Sequence, residues 1–134
     1  MALHPAPTDT LEVLTKVGGY EFGGLVGVIL AAAAHRLPVI VDGFITGAAA
    51  LLAAAACPSV RDYLIAAHSS VEIGHRVLLE HLALTPLLNL NLRLGEGTGA
   101  VMAMHLLDDA AAVLAEMATF GEAGVSGQDA APHR

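Results

Sequence analysis

A chain of 134 residues suits one domain with a modest core. It is 55 % hydrophobic and 14 % charged, which excludes an intrinsically disordered chain. Lys and Arg number only 6 against a net charge of −7, so there is no basic face for a nucleic acid.

Cys57 is the single cysteine, which rules out an internal disulfide and fits a reducing cytoplasm. Alanine supplies much of the apolar content, aromatics make up 4 %, and Trp is absent. Small residues bring helices close but bury little area each, and apolar stabilisation scales at roughly 25 cal/mol per Å². The core is therefore expected to be thin, with further burial against a partner subunit or another part of the same protein. The apolar runs 22–34 and 43–57 both fall short of the ~20 residues that span a bilayer, and His35, Arg36, Pro38 and Asp42 keep them apart. No membrane span is expected, and the amino terminus lacks the pattern of a secretory signal.

In chain order, residues 1–8 are Pro-rich and read as loose. Thr8 or Asp9 caps a short helix through Leu11 and Val13. A Gly-rich turn leads into a helix over about 20–35, closed by His35 and Arg36, cations that suit a helix carboxyl end. "LPVIVDG" is apolar on both faces and reads as a buried parallel strand, with a helix over 43–57 after it. A second strand is expected at about 63–67, ending in His68-Ser69-Ser70, and a helix at about 73–82. "TPLLNLNLRLGEGTG" is a loop with extended pieces. The strongest helical stretch runs from Thr98 to about Phe120, and 126–134 is a polar tail expected to be disordered. Strands alternating with helices predict an α/β fold with a parallel sheet, as one domain over 9–125. Two strands alone make an incomplete sheet.

Ligands of open α/β sheets gather beyond the carboxyl ends of the strands. Here those ends carry Asp42-Gly43 and His68-Ser69-Ser70. Asp42 either binds a ligand hydroxyl or caps the next helix, and Ser69 and Ser70 either bind ligand or cap the 73–82 helix. Glu72 and His75, with His68 nearby, raise a metal site, but three or four convergent ligands are needed and a structural reading is favoured. His4, His35, His81, His105 and His133 form no pattern. "GEGTG" opens a helix, where free N–H groups and the dipole favour an anion. Glu96 in it is either a general base or a residue of a Gly-rich turn. There is no GKS or GKT, so this is not a nucleoside-triphosphate P-loop.

The stretches "GGYEFGGLVGVILAAA", "VIVDGFITGAAALLAA", "VRDYLIAAHSSVEIGH", "LLEHLALTPLLNLNLRLGEGTGA" and "EMATFGEAGV" occur in that order between about residues 17 and 125. Together they resemble the carboxyl-terminal part of the nicotinate-nucleotide–dimethylbenzimidazole phosphoribosyltransferases of cobalamin synthesis. The resemblance implies a helix-rich part of a parallel-sheet, Rossmann-like fold. It also implies a glycosyltransferase reaction in which phosphoribosyl passes from nicotinate mononucleotide to 5,6-dimethylbenzimidazole or a related base, giving α-ribazole phosphate and nicotinate. Glu96 would be the catalytic base, Asp42, Gly43, Ser69 and Ser70 would help form the nucleotide site, and Gly97 and Thr98 would add backbone or hydroxyl contacts. No cofactor and no metal is implied, and the setting would be cytoplasmic. Two departures stand out: Ile73 replaces the family's frequent proline, and family members are more than twice this long. The alternative is a non-catalytic fragment or interaction module that pairs with itself or with a separate chain.

Overall fold

The structure, a computed structural model, describes residues 9–125. The expectations for 1–8 and 126–134 lie outside the described residues. The chain forms two compact units, one ending at Met104 and one starting at His105.

In the first unit, α1 (Thr10–Val17) starts at Asp9, whose side chain accepts the Glu12 N–H at 2.7 Å. Glu12 and Lys16 form an i,i+4 ion pair on it. α2 (Tyr20–Ala34) ends with Arg36 in the left-handed region at φ 58°, where the Leu37 N–H reaches Ala32 O and the Arg36 N–H reaches Ala33 O. These are the two bonds of a Schellman close, more often made by glycine.

β1 (Val39–Val41) and β2 (Leu64–Ala66) form a parallel pair in the register Val39–Leu64, Ile40–Ile65 and Val41–Ala66. The chain crosses between them through α3 (Phe44–Ala56) and a 3-10 turn at Pro58–Tyr63, an element not expected from the sequence. The segment at Leu87–Leu88 lies along the far side of β2: the Leu87 N–H donates to Ala66 O, and His68 and Leu88 form a parallel bridge. α4 (Ile73–Leu82) follows β2.

α3 is the centre of packing. Ala49, Ala50, Ala53 and Ala54 recur at helical spacing and are buried to within 1 %. Their missing side chains let α3 approach Val26 and Ile29 of α2, Val41 of β1 and Leu82 of α4 closely. The large side chains fully buried are few (Leu82, His75, Val41 and Val60), so the core is as thin as its composition predicts.

α5 (Thr98–Glu116) begins in the first unit and continues into the second. At 19 residues it is long and apolar enough to cross a membrane, which sequence reading, attending to two earlier runs, did not anticipate. Asp108 and Asp109 lie in the middle of it, where each carboxylate would cost about 2.5–3.5 kcal/mol in hydrocarbon. After α5, Thr119 and Glu122 of the second unit cap one another: the Thr119 N–H donates to Glu122 Oε2 at 2.8 Å and the Glu122 N–H to Thr119 Oγ1 at 3.3 Å. The Thr119 N–H and then its hydroxyl, both donating to Glu122 Oε2, hold the pKa of the Glu122 carboxyl below its ordinary value.

Candidate active site

The carboxyl ends of β1 and β2 bring Asp42 and His68 together, both buried, with His68 Nε2 3.7 Å from Asp42 Oδ1. A cleft of about 200 Å³ opens above them. It is lined by Asp42, Gly43 and His68 at the strand ends, by Ser70 and Glu72, and by Arg93, Leu94 and Gly95.

Asp42 does not cap the helix that follows it. α3 starts at Gly43, whose N–H donates to Thr46 Oγ1 at 3.1 Å. Asp42 Oδ1 instead accepts the Ala100 N–H at 2.8 Å, in the first turn of α5 and 58 positions away in sequence. A carboxylate there satisfies an orphan donor and meets the positive end of the helix dipole.

Ser70 does not cap α4 at its first residue either. Its hydroxyl accepts the Glu72 N–H at 3.3 Å, while the α4 N-cap, Glu72, has no side-chain cap. The Ser70 N–H donates to His75 Nδ1 at 3.0 Å, which fixes that nitrogen as an acceptor. His75 is 1 % exposed and its pKa is lowered, first by burial and then by nearby His68, with Asp42 opposing. His75 Nδ1 is thus engaged by backbone, and among the described residues no group of three or more His, Cys, Asp or Glu could hold a metal ion. Ser69 stands beside the cleft with its N–H on Leu88 O.

Gly95, Glu96 and Gly97 occupy the left-handed region in succession, at φ 79°, 56° and 77°. For two glycines this is free; for Glu96 it costs on the order of 1 kcal/mol. Thr98 closes the loop, its N–H and hydroxyl both donating to Gly95 O, the latter at 2.8 Å. The result is an exposed carboxylate next to the residues that line the cleft and at the mouth of α5. Gly99 ties the loop's base to the strand ends: a Cβ there would overlap His68 Cδ2 and stand 2.9 Å from Asp42 Oδ1. Of the seven site residues read from sequence, Asp42, Gly43 and Ser70 line the cleft, while Ser69, Glu96, Gly97 and Thr98 border it in the chain. His68, expected at the strand end but not as a site residue, lines the cleft, and Gly99, the third glycine of GEGTG, is the point of closest approach that the sequence reading missed.

A model of a phosphoribosyltransferase family matches residues 1–125. The nicotinate-nucleotide–dimethylbenzimidazole phosphoribosyltransferase of Desulforudis audaxviator is 64 % identical over 91 % of this chain and 35 % of its own length. That of Roseiflexus castenholzii is 63 % identical over 93 % of this chain and 35 % of its own. The crystal structure of the corresponding enzyme from Thermus thermophilus superposes with a TM-score of 0.86 at 52 % identity, over 94 % of this chain and 38 % of that one. This chain thus spans about a third of the length of the curated relatives it matches. Across that third, the motifs, the fold and the family model agree, and the chain belongs to the nicotinate-nucleotide–dimethylbenzimidazole phosphoribosyltransferase family.

Proposed function

We propose that this chain provides the proton-accepting side of a phosphoribosyl transfer from nicotinate mononucleotide to 5,6-dimethylbenzimidazole or a related base, in cobalamin lower-ligand synthesis. One nitrogen of the base attacks C1′ of the ribose with its lone pair. The bond from C1′ to the nicotinate nitrogen breaks, and its electron pair leaves with nicotinate. The remaining imidazole N–H gives its proton to the Glu96 carboxylate. The single observation that carries this reading is the exposed Glu96, held in a left-handed loop beside the cleft at the strand ends. Gly43, Ser69, Ser70, Gly97 and Thr98 form the nucleotide side of the same site, and Asp42 lines the cleft beside them.

The setting is cytoplasmic, the substrates are small molecules, and no nucleic acid takes part. The chain corresponds to about a third of the family's length, and its thin core is completed by self-association or by a partner chain. Purified chain is mixed with nicotinate mononucleotide and dimethylbenzimidazole, with and without a polypeptide supplying the rest of a relative, and nicotinate release is followed. Glu96→Gln is expected to lower turnover by at least ~10²-fold, the lower range for loss of a general base, with nicotinate mononucleotide still bound. Undiminished turnover in that variant refutes the assignment. The chain's share of its relatives' length favours a second reading, a non-catalytic module, which activity of the chain alone would rule out.

A further inference from the structure

We propose that Asp42 is a positioning residue for Glu96: by holding the Ala100 N–H it fixes the first turn of α5, and through that turn the loop that carries Glu96. The inference rests on the reading of Glu96 as the base.

The loop has little else to hold it. Glu96 and Leu94 are exposed, and the Cβ directions of Gly95 and Gly97 meet nothing within 4 Å. Among the described residues, the hydrogen bonds that reach 95–97 come from Thr98, to Gly95 O, and from Val101, whose N–H donates to Gly97 O at 2.9 Å. Both donors belong to α5, so the loop is as fixed as the start of that helix. That start is fastened to the strand ends at two adjacent points: Ala100 on Asp42 Oδ1, and Gly99 against His68. Asp42 is 7 % exposed and directly follows β1, so the sheet sets its position. His68, 4 % exposed, packs against it with Nε2 3.7 Å from the same Oδ1. With Oδ1 engaged by backbone, Asp42 acts on the reaction through geometry, and a misplacement on the order of 1 Å is enough to cost a reaction heavily.

The test is amide hydrogen exchange on the full chain without substrate. Asp42→Ala should raise exchange at 98–101 by about tenfold or more, the factor for one charge-assisted hydrogen bond, while α3 and α4 keep their protection. Asp42→Asn, which retains an acceptor oxygen, should restore most of it. Gly99→Ala should loosen the same segment by a different route, and it serves if Asp42→Ala folds poorly. In the nicotinate-release assay, Asp42→Ala should lose kcat and keep KM for nicotinate mononucleotide. Unchanged exchange at 98–101 together with weakened nucleotide binding would overturn the proposal in favour of a substrate ligand. Loss of protection throughout the first unit, without rescue by Asn, would overturn it in favour of a purely structural role. Failure of the Glu96 reading shows up separately: Glu96→Gln would then turn over normally, with the exchange pattern of Asp42→Ala unaltered.

Discussion

At the scale of single residues, the site depends on side chains whose work the sequence leaves open. An Asp at the end of a strand either binds a ligand or caps a helix. Asp42 does cap a helix, but α5 instead of α3, and no local pattern identifies a donor 58 positions away. His75 is a second case. Its burial at the foot of α4, and after it the nearby His68, favour the neutral ring against the opposing pull of Asp42, so its pKa falls below the ordinary 6.5. The unfolded chain then binds more protons than the folded one as pH drops past that value. The stability due to His75 is therefore complete above 6.5 and is lost as pH falls through its lower, folded value. We expect the urea midpoint to decline as pH falls below 6.5, and His75→Gln to flatten that decline while lowering stability at neutral pH by about 1–3 kcal/mol. Parallel slopes in the two proteins would remove His75 as the cause.

At the scale of elements, exposed Ala83 closes α4 in the left-handed region at φ 56°, with the Leu84 N–H on Leu79 O and the Ala83 N–H on Glu80 O. An L-residue other than glycine pays about 1–2 kcal/mol for that conformation. Ala83→Gly should stabilise the first unit by up to about 1 kcal/mol, the gain being reduced by glycine's extra freedom when unfolded. Thermal melting reads this as a rise of roughly 2–6 °C. A fall in Tm would mean that the α4 terminus contributes nothing through its backbone. These ends also show what was legible in the sequence. Helix and strand periodicity placed α2, β1, α3, β2 and α4 within a few residues, because each is decided by near neighbours. The start of α5 was likewise marked by GEGTG. Its end was placed four residues late, at Phe120 instead of Glu116, because the Thr119–Glu122 cap starts a separate turn there. The 3-10 turn after Pro58, the Leu87–Leu88 strip beside β2 and the Asp42–Ala100 bond were not legible. Each depends on parts of the chain that meet only once the sheet has formed.

At the scale of the whole molecule, the first unit spends its apolar residues unevenly. α2 buries Val26 and Ile29 and leaves Tyr20 fully exposed and Val28 65 % exposed. A helix apolar all round is ordinarily enclosed on all sides. Purified chain should therefore bind an apolar dye and elute earlier from a sizing column as concentration rises. Val28→Lys should reduce both effects and change stability by no more than about 0.5 kcal/mol, as surface substitutions do. Dye binding and elution unchanged by Val28→Lys would shift attention from α2 to another face. The sheet has a related asymmetry. β2 is flanked by β1 on one side and by Leu87–Leu88 on the other, whereas among the described residues no strand pairs with the outer edge of β1. Val39, Ile40 and Val41 are of the residue types that favour pairing, and an open ladder of them accepts any strand of matching direction. That edge is the growing point of the sheet. A strand of matching direction would pair there, and a second copy of this chain would compete for the same ladder. At three residues, β1 is short enough to restrain the competition and still long enough to set the register of a strand that belongs.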